Sequence, residues 1–250
     1  MKKIIAVFLL LLICNTTVVP CEARVHKGRT KGGVIYQYNT KNKTLTLSGK
    51  KISGTWNEQQ GKGRYMGDEW NKWQDKVKKI VVKKGVKSIE NGALENYFKL
   101  KTIDFPKTLK KIGERAFENI GIKKLILPDS VLEIGEYAFS SQSVSLPVDG
   151  CIERIKLPSK LQKIGESSFS FQHIKCITIP ENVTSIGKYA FEGCIHLKRV
   201  IIKSKKLKKV GKDAFYDTDK NLVVYVPKDK IDDYRKMLWK GAAFNIEPIP

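Results

Sequence analysis

A six-residue motif, aliphatic–Gly–x–x–Ala/Ser–Phe, recurs along this chain and confines it to a narrow class of folds. It reads Ile112-Gly113-Glu114-Arg115-Ala116-Phe117 and returns as Ile134–Phe139, Ile164–Phe169, Ile186–Phe191 and Val210–Phe215. A degenerate copy runs from Ile89 to Ala93-Leu94, with Glu90 in the glycine's place. Successive starts lie 23, 22, 30, 22 and 24 residues apart. A period of that length is the signature of a solenoid of stacked coils, whose usual work is to offer an extended binding surface.

Upstream of each motif sits a short alternating apolar run that often ends in proline: Ile103-Asp104-Phe105-Pro106, Leu125-Ile126-Leu127-Pro128, Ile155-Lys156-Leu157-Pro158 and Ile177-Thr178-Ile179-Pro180. Ile80-Val81-Val82 opens the series, and Val200–Ile202 and Val223–Pro227 are looser versions. Alternation signals a strand, and proline, lacking an N–H, stops it. Single apolar residues precede the runs (Val77, Leu100, Ile122, Ile152, Ile174, Leu197) and the glycine motifs (Val86, Leu109, Val131, Leu161, Val183, Leu207). No coil can bury so many inward positions alone. Neighbours stacked at about 4.8 Å share strand hydrogen bonds and close one core. Phe reads as the large filler of that core. The motif glycine supplies either a positive φ or room for a close backbone approach.

These features resemble the BspA-like leucine-rich repeats over residues 77 to 226. The resemblance implies a mainly β leucine-rich-repeat solenoid of six to seven coils with short parallel strands. Leu45-Thr46-Leu47-Ser48-Gly49 looks like the family's leading hairpin, and Tyr225-Val226-Pro227 followed by a helix looks like its closing unit. The sequence departs from the pattern at Glu90, in an eight-residue insertion between Phe139 and Ile155, and at Lys203, which replaces a proline. Adhesion is what the resemblance implies for function.

The organisation expected is a signal peptide over 1–23, an N-terminal cap over 24–76, the repeats over 77–226 and a C-terminal cap over 227–250. Met1-Lys2-Lys3 followed by the apolar stretch from Ile4 to Ile13 has the form of a secretory leader, with cleavage after Ala23. A lipid anchor on Cys21 would follow Pro20, a poor match. The apolar run is short for a membrane span. The chain is therefore expected outside the cell, secreted, with surface association left open. Val34–Tyr38 and Thr44–Leu47 read as a hairpin, and Trp56, Trp70 and Trp73 as a cover for the first coil. Ile231, Tyr234, Leu238 and Trp239 share a helical face between Pro227 and Gly241. Of the cysteines left after cleavage (Cys151, Cys176, Cys194), at least two are expected to be buried as small hydrophobes.

Charge is the second constraint. Lys and Arg number 47 against 25 acids, a net charge of +22. Lys101, Lys123, Lys124, Arg154, Lys175, Lys198 and Arg199 stand just before the strand runs, so stacking turns them into a basic stripe, the candidate ligand-binding site. Such a stripe suits an extracellular protein partner or, alternatively, an acidic glycan or wall polymer. Nucleic acid is a poor fit, since the chain shows no recognition fold and carries an export leader.

The sequence has no His-Glu-x-x-His, no Gly-x-Ser-x-Gly elbow and no phosphate-binding Gly-rich loop. Glu114, Glu136, Glu166 and Asp213 recur after the motif glycine but read as repeat surface. The chain is read as non-enzymatic and without cofactor. One metal candidate stands out: Cys151, His173 and His196 precede the same apolar position on successive coils, as zinc or copper ligands could. Lys99 and Gly121 hold the equivalent places earlier, which favours an exposed turn position with no ligand.

Overall fold

The computed structural model describes residues 24–53, 69–141, 150–238 and 245–250, together with the backbone of 55–57 and 64–66. The expected leader, residues 142–149 of the insertion, the Trp56 side chain, Trp239 and Gly241 lie outside the described residues.

Each coil makes one strand, one turn, a two-residue strand and the motif turn. The first strands are Lys79–Val82, Thr102–Asp104, Lys124–Ile126, Arg154–Lys156, Cys176–Ile179, Arg199–Ile202 and Val223–Val226. They run parallel wherever they pair, within three separate sheets. The two-residue strands form one unbroken seven-stranded parallel sheet, from Lys51–Ile52 through Ser88–Ile89 to Lys209–Val210. The single apolar residues before strands and motifs are all buried, as their spacing predicts.

The motif turns build a third ladder. Phe117 N–H donates to the Ala138 carbonyl at 2.9 Å, Phe139 to Ser168 at 2.9 Å, Phe169 to Ala190 at 2.9 Å and Phe191 to Ala214 at 2.8 Å. Left-handed backbone does occur in this turn, but not at the glycine. It falls at the motif's fourth position (Arg115, Tyr137, Ser167, Tyr189, Asp213) and its eighth (Asn119, Phe171, Gly193, Asp217). The motif glycine provides room instead. A Cβ on Gly135 would lie 2.6 Å from the Gly113 carbonyl carbon, and one on Gly187 would lie 2.5 Å from that of Gly165. Glycine thus stacks on glycine, coil after coil. Glu90 stands in the first copy, where the chain beneath is the strand Lys51–Ile52 and not a glycine motif, and its N–H donates to the Ile52 carbonyl at 2.7 Å.

Inside this ladder the rings of Phe117, Phe139, Phe169, Phe191 and Phe215 stack face to face at 5.3–5.6 Å. All but Phe215, at 4% exposure, are fully buried. Each such ring removes 150–250 Å² from water, so the column is a main source of stability, on the order of 3–5 kcal/mol per ring.

The irregular coils keep register by specific polar repairs. Across the insertion Lys124 still pairs with Arg154 and Glu133 with Lys163. The buried Gln172 closes the longer coil: its amide donates to the Phe139 carbonyl at 2.8 Å and its oxygen accepts from Ile152 N–H at 2.6 Å. Lys203, in the proline's place, donates its N–H to Ile179, a bond proline could not make. The extra residue, Ser204, is fully buried, and its hydroxyl donates to the Val183 carbonyl.

Both ends are covered. Three antiparallel strands, β1 (Val25–Arg29), β2 (Ile35–Asn39) and β3 (Thr44–Ser48), lead in, and β3 then pairs in parallel with Lys79–Val82. The expected hairpin is therefore the inner part of a three-stranded unit. Trp70 and Trp73 are buried against it, with Tyr38 stacked on Trp73 at 4.8 Å. At the far end α1 (Ile231–Leu238) buries Tyr234 and Leu238. The Tyr234 hydroxyl donates to the Ser204 carbonyl. Beyond the expected helix, Asn245–Pro248 adds a further parallel strand on Val223–Val226. Its proline blunts the open edge, which would otherwise invite another strand.

Candidate functional site

The seven stripe cations lie on two adjacent columns. Lys101, Lys123, Lys175 and Lys198 occupy the residue before each strand, while Lys124, Arg154 and Arg199 are the first strand residues. Strand registration places Lys124 directly beside Arg154, and Cys176 beside Arg199. All seven are exposed. Inward neighbours such as Leu125, Ile155 and Val200 are packed on the core, so period-2 alternation aims Lys124, Arg154 and Arg199 outward, while the four lysines before the strands are exposed from the turn.

The stripe is not uniformly basic. Lys123 pairs with Glu153 at 3.4 Å, Lys198 lies 3.9 Å from Asp219, and Lys79 at the top of the column meets Asp104 at 2.7 Å. Ile126 is 53% exposed two residues beyond Lys124. The face therefore mixes cations, interleaved carboxylates and an apolar spot.

Of the three metal candidates, His173 and His196 meet edge to face, with ring centroids 5.0 Å apart. Burial, the neighbouring His196 and Lys123 depress the His173 pKa, against a smaller opposite pull from Glu153. Cys151 is half-buried, and burial raises its thiol pKa while a hydrogen bond with Ser141 opposes this. Among the described residues no three such side chains stand close enough to share a metal ion. The cysteine expectation needs correcting. Cys194 is buried, with its pKa pushed up to about 12, but Cys151 is only half-buried and Cys176 is exposed.

A second surface escaped the sequence reading. On the outer side of the motif turns lies an open groove of about 720 Å³, lined by Tyr137, Phe171, Tyr189 and Tyr216 with Glu166, Glu192 and Asp213 among them. Tyr216 is 59% exposed and Phe171 47%. The Phe171 ring lies over Gly193, where any Cβ would collide with it. Burial first, then the charges of Asp213 and Asp217, hold the Glu192 carboxyl above its ordinary pKa. The available sequence signal was tyrosine at the motif's fourth position in both Tyr137 and Tyr189, each beside a coil with a carboxylate.

One coil earlier the same turn surface carries its own cation. The Arg115 guanidinium lies 4.4 Å from the Tyr137 ring centre and donates to both Glu118 oxygens at 2.9 and 3.0 Å. Glu114 lies 3.6 Å from Arg115 Nε.

The profile of the BspA type leucine rich repeat region matches residues 66–147 and 149–237, in six copies. No curated protein matches the sequence. Among solved structures, a leucine rich cell surface protein from Faecalibacterium prausnitzii is similar at 18% identity and TM-score 0.32, over 70% of this chain and 66% of that one. A leucine-rich repeat protein from Bacteroides ovatus is similar at 21% identity and TM-score 0.32, over 90% and 75%. The T. pallidum leucine rich repeat protein is similar at 18% identity and TM-score 0.38, over 88% and 96%.

Proposed function

This chain belongs to the BspA-type leucine-rich repeat family, and from that premise we propose that it is a secreted, non-enzymatic binding and adhesion module whose basic strand face engages an extracellular protein. In this reading residues 1–23 are a leader removed on export. Residues 24–76 and 227–250 cap a repeat domain, 77–226, that carries the surface.

The observation that carries the reading is the composition of the face around the paired Lys124 and Arg154. Cations alone would suit any polyanion. Here Glu153 and Asp104 are interleaved with them and Ile126 stands exposed among them. A partner must match both signs of charge and cover an apolar side chain, which a folded protein surface does and a uniform polyanion does not. The acids also reduce what an anionic chain would gain by running along the columns.

Binding of an acidic glycan or wall polymer remains the second reading, favoured by the net charge of +22. Salt separates the two. Retention of the mature chain on heparin should collapse between about 0.15 and 0.5 M salt, since the Debye length falls severalfold towards 1 M. Binding to a protein partner through the mixed face should persist through most of that range. A partner interaction lost as steeply as heparin retention would overturn the protein reading.

A further inference from the structure

We propose that the groove on the motif turns is a second docking site, independent of the basic face, and that it takes an arginine side chain from an extended segment of a partner protein. The argument begins with the repeat itself. At Arg115 the turn holds a guanidinium between a third-position acid, Glu114, a seventh-position acid, Glu118, and the fourth-position ring of the next coil, Tyr137. Two coils on, the third-position acid recurs as Glu166 and the next coil's ring as Tyr189, but the arginine's place is held by Ser167. Ser167 is itself buried and has no side chain long enough to lie across Tyr189 as Arg115 lies across Tyr137, and both Ser167 and Tyr189 line the groove. The seventh-position acid reappears one coil along as Glu192, and Asp213, which the exposed Lys212 meets at a loose 3.8 Å, adds another carboxylate. The groove therefore repeats the chain's own arginine cradle without its arginine.

Two further observations agree. In a chain of net charge +22, three carboxylates gathered in one cleft are against the average. Glu192 is crowded by Asp213 and Asp217, and an incoming cation would relieve that repulsion. Tyr137, Tyr189 and Phe171 also adopt left-handed backbone, at φ of 52°, 55° and 58°. That conformation suits Gly, Asn or Asp, and bulky residues take it at a steric cost. Gly92, Asn119 and Asp213 show the cheaper solution at equivalent places. The rings of Tyr137 and Tyr189 line the groove, so the core gains little from choosing them.

Arginine fits better than lysine because a planar guanidinium stacks on a ring while donating in its own plane to carboxylates. A second copy of this chain is a poor occupant, since two strongly basic molecules repel each other.

The test is calorimetric titration of the mature chain with two short peptides, one carrying a central arginine flanked by glycines and the other carrying citrulline there. Citrulline keeps the shape and loses the charge. The arginine peptide should bind at least tenfold more tightly. Glu192→Gln and Tyr189→Leu should each weaken it severalfold, while reversal of Lys124 and Arg154 leaves it unchanged. Unaltered thermal midpoints for both groove variants show that the fold is intact. If a variant shifts its midpoint, Asp213→Asn serves in its place. Equal affinity for the two peptides, no detectable binding of the arginine peptide, or indifference to the groove substitutions would overturn the proposal. Preferential binding of a neutral oligosaccharide in the same cleft would overturn it as well.

Discussion

Along the inside of the motif turns, Phe117, Phe139, Phe169, Phe191 and Phe215 repeat one ring within 7° of parallel from coil to coil. The residues three before them, Glu114, Glu136, Glu166, Lys188 and Lys212, are all at least partly exposed and change from acid to base along the stack. The contrast comes from translation. An inward side chain must pack on a copy of itself, so one solution that stacks is kept throughout. An outward side chain meets solvent on one side and is free to vary, so that is where recognition can be written without loss of the fold. Inward changes should therefore alter stability, and outward ones should alter binding.

The largest effect should come from opening the ring column. Phe191→Ala removes a ring stacked on both sides and should destabilise by about 3–5 kcal/mol, read as a shifted denaturant midpoint. Exposed Lys160→Ala should stay within about 0.5 kcal/mol. Comparable small shifts at both positions would erase the inside–outside distinction.

Next is the glycine stack. Gly187→Ala forces a Cβ against the Gly165 backbone and should cost about 1–3 kcal/mol, as overpacking does. Glu90→Gly, at the copy with no motif beneath it, should cost much less. The same measurement on both variants sharpens the claim that the stack excludes side chains by proximity. Equal costs would return the glycine to a conformational role.

A smaller effect of opposite sign is expected at Ser168. It stands where other copies have alanine, is fully buried, and its hydroxyl finds no partner among the described residues. Ser168→Ala should stabilise by roughly 1 kcal/mol. A loss of stability would mean that the hydroxyl is satisfied after all.

Legibility in the sequence follows the same division. The inward positions were readable because the core repeats with the chain: Val131, Leu161 and Val183 recur in phase, and all are buried. The glycine's function was only half readable. Positive φ and close approach both select glycine, and only the stacking distance decides between them. The closing strand Asn245–Pro248 gave no periodic signal, because it is a single addition with no copy elsewhere. The basic columns were visible because each coil contributes a cation at one or other of two adjacent registers. The groove was not, because its residues come from different motif positions on several coils and converge only once the turns are stacked. Cys176 misled for a related reason. It occupies the first strand position, which faces outward, where the neighbouring coils place Arg154 and Arg199.

The most direct test of the basic face is a binding array of extracellular matrix proteins and heparin probed with the mature chain. Two variants are compared with wild type, Lys123, Lys124, Lys198 and Arg199 reversed to Glu, and Lys206, Lys220, Lys228 and Lys236 reversed likewise. Both sets change net charge equally. At about 0.15 M salt, where the screening length is near 8 Å, wild type and the second variant should hold the same matrix protein and the first should lose it. Equal loss in both variants, or retention on heparin with no protein bound by wild type, would contradict the account.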